Sequence, residues 1–108
     1  MAVLSYQYPA LTGSVINFAA ANGGGDEIEA RGNALLLVRN ADASSKDVTI
    51  VVPGNDQYGG ARPDITKTIP AGQTWAFGPF PEDLEANDGK IDITYSAVTS
   101  VTVAAVAV

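Results

Sequence analysis

Apolar and polar positions alternate with a period of two along most of this chain. The clearest case is Lys90 to Tyr95. Ile91, Ile93 and Tyr95 share one face, and Lys90, Asp92 and Thr94 the other. That is the pattern of a strand with one buried and one wet face. From Ser100 onward the pattern changes. Val101 and Val103 lie on one face, Thr102, Ala104, Val106 and Val108 on the opposite one, and Ala104 to Val108 carry no polar side chain. Such a segment needs cover on both faces, from the domain's own sheet or from a neighbouring subunit.

The same reading gives the other elements. Ala34 to Asn40 is the most hydrophobic run, of strand length and bounded by turn formers, Arg31-Gly32-Asn33 before it and the polar loop to Asp47 after it. It reads as a central strand covered on both faces for part of its length. Val48 to Pro53 follows, with Val48, Ile50 and Val52 inward and proline ending the ladder. Asp64 to Ile69 is a short strand. Pro70-Ala71-Gly72-Gln73 reads as a type II turn with proline at the first corner and glycine at the next. Thr74 to Gly78 then returns antiparallel to Asp64–Ile69, with Trp75 and Phe77 on one face as the largest core fillers. Ser14 to Ala19 is a further short strand, and Glu27 to Ala30 a charged edge strand. Glu82 to Asn87 suits a single helical turn around Leu84. Asp88-Gly89 opens the terminal pair of strands.

Between these lie the loops. Gly54 to Pro63 contains three glycines, Tyr58 and Arg62, and reads as a contact surface or a hairpin tip. Residues 1–13 show little periodicity but hold Tyr6, Tyr8 and Leu11. A free tail would waste such groups, so the segment reads as an extended arm docked on its own body or on a neighbour. The sum is seven to eight short strands at roughly 8–12 residue spacing, with no helical pattern beyond one turn. The expected fold is all-β, an antiparallel β-sandwich or jelly-roll-like domain over 14–108, preceded by the arm.

Composition narrows the function. At 108 residues the chain suits one domain. It has no cysteine and no histidine, which excludes a disulfide framework, thiolate metal sites and the Ser-His and Cys-His nucleophiles. Net charge is -6, from twelve acids against six scattered bases. No basic patch serves nucleic acid. Met1-Ala2-Val3-Leu4 lacks the basic and apolar regions of a signal peptide. No apolar run approaches the roughly 20 residues that span a bilayer. The expectation is a protein made in a cytosol that stays soluble or joins a larger assembly there.

Candidate chemistry is sparse. Gly23-Gly24-Gly25 leads into acids and lacks the lysine and hydroxyl of a phosphate-binding loop. The acidic groups Asp26, Glu27, Glu29 and Glu82, Asp83, Glu85 could supply a glycosidase pair, but loop acids are ordinarily solvated filler. Asp83, Glu85, Asn87 and Asp88 come closest to a calcium loop without the EF-hand spacing. Trp75 could stack on a sugar, but pairing with Phe77 favours the core. No catalytic residue, metal site or cofactor is assigned, and the expectation is not an enzyme.

Three stretches carry a resemblance. They are Gly32 to Asn40, Ile69 to Pro81 with its Pro70-Ala71-Gly72 and Gly78-Pro79-Phe80-Pro81, and Asp88 to Ser96 with its Asp88-Gly89 and Thr94-Tyr95. In that order and spacing they resemble small β-sandwich virion proteins of tailed bacteriophages. The resemblance implies capsid decoration, or cement, with a neck, tail or head-fibre component as the nearest alternative. It implies the major capsid protein as partner, a place on the virion surface after assembly in the host cytoplasm, and no direct contact with nucleic acid or membrane. Symmetric closure suits a trimer. Candidate interface residues are Tyr6, Tyr8 and Leu11 of the arm, Tyr58 and Arg62 of the loop, and Val106 and Val108. A carbohydrate-binding or adhesin-type sandwich is the reading from another class; it requires Trp75, Tyr58 or Tyr95 exposed on a flat face.

Overall fold

Short apolar runs, each cut by glycine, proline or a polar cluster, leave the chain no way to bury its hydrophobic faces except strand against strand. In a computed structural model, which describes residues 2–29, 33–55, 57–80 and 89–107, they form ten strands and no helix among the described residues. These are β1 (Ala2–Val3), β2 (Tyr6–Gln7), β3 (Ala19–Ala20), β4 (Asp26–Glu29), β5 (Ala34–Asn40), β6 (Lys46–Ile50), β7 (Ile65–Ile69), β8 (Thr74–Phe77), β9 (Lys90–Tyr95) and β10 (Val101–Ala107). Two sheets result, one in the order β1-β4-β9-β6-β7, the other in the order β2-β10-β5-β8 with β3 also on β10. The molecule is a β-sandwich. Its shortest dimension, 20 Å, fits two sheets stacked about 10 Å apart with their outer side chains.

The core lies where the inward positions of both sheets meet. Ile28, Ile91, Ile93, Val48, Ile50 and Ile69 come from the first sheet, and Leu36, Val38, Val101, Val103 and Ala105 from the second. Phe80 is the largest fully buried side chain. Trp75 and Phe77 face the same core, opposite Val38 and Leu36, but β8 is an edge strand, so both stay half-buried. The segment after Ser100 obtains its cover from the domain itself. Ala104 and Val106 sit on the outer face of β10 beside Leu37 and Leu35, and both are buried.

Pairing departs from the sequence expectation at the β7–β8 turn, at Val15 to Phe18 and at β4. Pro70–Gln73 does not fold β8 back onto β7. β7 pairs β6, and β8 crosses to the other sheet beside β5. The turn is a corner between sheets, fixed by Asn40 at the end of β5. The Asn40 amide donates to the Ile69, Pro70 and Ser44 carbonyls, its side-chain oxygen accepts from the Asp42 N–H, and its backbone pairs with Gly72 and Gln73. The Gln73 N–H donates to the Pro70 carbonyl, so alanine, not proline, takes the first corner. Gly72, at φ 75°, takes the second. β9 and β10 lie in different sheets. β9 lies between β4 and β6, and β10 beside β5. Finally, Val15 to Phe18 join no ladder, and only Ala19–Ala20 form a strand. The side chain of Gln7 takes the place of a strand partner there, donating to the Asn17 carbonyl at 2.7 Å and accepting the Asn17 N–H at 2.8 Å. β4 is also not a bare edge, because β1 pairs along it. The expected helical turn around Leu84 lies outside the described residues.

The arm is docked on its own body. β1 runs parallel to β4 at the edge of the first sheet, and the Leu4 N–H donates to the Glu27 carbonyl. The chain then crosses to the second sheet, where β2 runs parallel to β10. These two short pairings are the parallel exceptions in an otherwise antiparallel sandwich.

A candidate interaction surface

The seven residues singled out as contacts fall into different environments. Tyr6 is packed against this chain's own body. It is half-buried, packs against the core, and its hydroxyl donates to the Glu29 carbonyl. Val106 is 6% exposed, so the chain's own neighbours already cover it. Val108 lies outside the described residues. Tyr8 and Leu11 are exposed, Leu11 wholly. Tyr58 is 86% exposed on the loop between β6 and β7. Arg62 is half-buried at the base of that loop. Its guanidinium reaches the Pro53 carbonyl at 3.5 Å, and Asn55 bridges to Ala61 above it.

These groups do not form one patch. Tyr58 and Arg62 follow β6 and precede β7 at one edge of the first sheet, while the arm holds the opposite edge through β1. Four strand spacings separate the two, about 19 Å. The stretch from Val3 to Val15 is instead marked by exposure. Val3, Tyr8, Leu11 and Val15 are all exposed large apolar residues. Val3, Leu4, Ser5, Tyr6, Tyr8 and Glu29 also line a shallow open hollow of about 240 Å³. Val3 and Val15 were not among the candidate contacts, since Val3 lies in a stretch without periodicity and Val15 reads as one face of a short strand.

Behind this surface the polar interior is fully committed. Asp26 follows a glycine run that reads as a loop. It stands instead in β4, on the core face and 1% exposed. Its carboxylate accepts from the Tyr95 hydroxyl at 2.7 Å and from the Asn22 N–H at 3.3 Å. Burial, with the carboxylate beside it, pushes the Tyr95 hydroxyl well above the usual tyrosine range. Lys46 is buried against Asp42 at 2.7 Å and also reaches the Ser44 hydroxyl. The Lys46 hydrogen bond and charge, together with the Ala43 N–H, hold the Asp42 carboxyl below the usual carboxylate range. Among the described residues every buried side-chain nitrogen and oxygen has a partner, and no three acids stand close enough to hold a metal. Asp83, Glu85, Asn87 and Asp88, and the acids Glu82, Asp83 and Glu85, lie outside the described residues.

The outer face of the first sheet is polar and acidic. Glu27 stands directly across from Asp92 and Glu29 across from Lys90. Thr49 Oγ1 lies 3.1 Å from Thr66 Oγ1, and Thr68 donates to Asp47 at 2.6 Å. The outer face of the second sheet is apolar along Leu35 and Leu37, with the Arg39 guanidinium 4.1 Å from the Phe18 ring. Trp75 and Phe77, tilted 35° to each other, pack on the core side, and the Trp75 indole donates to Gln73 at 2.9 Å. They offer no flat exposed pair for a sugar ring. Tyr95 faces inward.

No protein-family model, curated protein or solved structure matches the chain.

Proposed function

We propose that this chain is a bacteriophage capsid decoration protein, a many-copy brick that binds the outer surface of a head and strengthens it. The observation that carries the reading is the division of its surfaces. Four of the six exposed large apolar side chains among the described residues lie along residues 3–15, with Tyr58 and Ile65 at the β6–β7 connection, against a sandwich whose described buried polar groups are spent on internal bonds. A cement protein needs this and no chemistry. It adds buried contacts across joints between capsid subunits, and repetition over many copies turns modest interfaces into firm attachment. The motif order at Gly32–Asn40, Ile69–Pro81 and Asp88–Ser96 supports the phage assignment, and an acidic body suits dense packing on a shell without sticking to the genome. The partner in this reading is the major capsid protein, and the working form a homo-oligomer, a trimer by symmetry.

The test is co-sedimentation with heads prepared without this protein. Saturable binding and a rise in the melting temperature of the shell are expected. Shells that neither bind the protein nor gain stability would overturn the proposal.

A further inference from the structure

From the way residues 2–7 are tethered, we infer that they can exchange between copies of this chain, each copy laying its β1–β2 arm into the edges of the next. β2 and β3 both pair with β10, and on the same side of it, the other side being taken by β5. Gln7 stands beside Val106 and Ala19 beside Val103. The two attachment points are thus three residues apart along one strand, about 10 Å. The chain from Gln7 to Ala19 makes twelve residue-to-residue steps, which extend to about 40 Å. The connector is several times longer than the closed path requires. Its backbone is irregular, with a turn at Gly13, whose N–H donates to the Ala10 carbonyl. It carries Tyr8, Leu11 and Val15, all exposed.

The arm-to-body contacts described, the β1–β4 and β2–β10 pairings, Leu4 to Glu27 and Tyr6 to Glu29, can be remade by a second body without change, while the Gln7 clasp on Asn17 lies within the connector itself. Exchange therefore keeps the arm's bonds to the body. An opened connector also runs between two bodies, where Tyr8, Leu11 and Val15 gain a surface to pack on. Such swapping is a low-cost route to closed oligomers. The occupant of the arm's groove is a second copy of this chain, which gives the homo-oligomer of the decoration reading a physical form.

The absence of cysteine makes the test direct. Val3 and Glu27 are cross-strand partners in β1 and β4, at a separation a disulfide can bridge. The variant Val3→Cys/Glu27→Cys is unfolded under reducing conditions, refolded at about 1 mM, the effective concentration a short tether imposes, and then oxidised. Exchange shifts the band on a non-reducing gel from one chain's mass to covalent dimers or trimers. A mixture of the two single variants gives crossed dimers well above the yield of either alone. Monomer only, with or without an internal bridge, overturns the exchange. No capsid enters the experiment, so that result would leave shell binding standing.

Discussion

Asp26 and Tyr95 show how much one residue's environment can depart from its neighbourhood in sequence. Asp26 follows three glycines and precedes Glu27, yet it points inward, and its carboxylate is held by the Tyr95 hydroxyl. A charge-assisted bond of this kind is stronger than a neutral one. Tyr95→Phe removes it and lowers stability by about 1–3 kcal/mol near neutral pH. The pH dependence has a definite sign. The folded chain holds the Tyr95 proton above the ordinary value of 10.0, so this stabilisation is complete below that pH. It is lost above it, as the unfolded chain ionises while the folded one does not. Urea midpoints for the two proteins should therefore stay apart up to about pH 10 and converge above it. A gap that widens above that pH would contradict the buried hydroxyl. Little in the sequence marks this pair, because alternation tells which way Tyr95 points but not which acid it meets across the first sheet.

At the scale of the element, two glycines separate conformational strain from lack of space. Gly72 at φ 75° has nothing within 4 Å of where a Cβ would stand. Gly78 at φ 131° would place that Cβ 2.6 Å from the Ala34 carbonyl oxygen and 3.3 Å from the Leu35 Cα. Gly72→Ala then carries backbone strain alone, about 1–2 kcal/mol, which for a domain near this size lowers Tm by several degrees, about 4–8 °C per kcal/mol. Gly78→Ala carries strain and a clash with the backbone of β5, and lowers Tm at least about twice as far. Calorimetry of the two variants decides; equal losses would mean that the end of β8 does not lie against β5 as closely as described. The long strands β5 and β9 were legible. β5 runs from Ala34 to Asn40 as its hydrophobicity demands, and β9 buries Ile91 and Ile93 as its alternation demands. Their partners were not, because a period of two fixes which face is buried and is silent on which strand lies alongside. β7 and β8, joined by a tight turn, looked like a hairpin. Asn40 instead ties that turn to the end of β5 and sends the two strands to different sheets.

Across the whole molecule, the exposed apolar residues of the stretch 3–15, of which Val3 stands beside Glu27 on the first sheet, and Tyr58 with Ile65 around the β6–β7 connection mark two separate candidate contact regions. Leu11→Ser changes a wholly exposed side chain, so its Tm stays within about 2–4 °C of the parent, as a surface change of about 0.5 kcal/mol allows. Its binding to shells lacking the protein falls by tenfold or more, a loss of about 1.4 kcal/mol. Sedimentation titration reads the second quantity and calorimetry the first. Unaltered binding would remove the arm region from the contact. Tyr58→Ser, at the far edge of the first sheet, serves as the control on a surface the arm does not reach.

What the chain's own pattern determined is the class of fold and the inward face of each long strand, because alternation and turn residues act over a few neighbours. It also set aside histidine and cysteine chemistry by composition alone. The packed molecule decided which side chains remained outside. Val106 was taken into the interior, Tyr6 was packed against the body, Val3 and Val15 were left in water, and the arm was laid across both sheets. Exposure depends on what lies above a residue, and here that cover comes from segments distant in sequence.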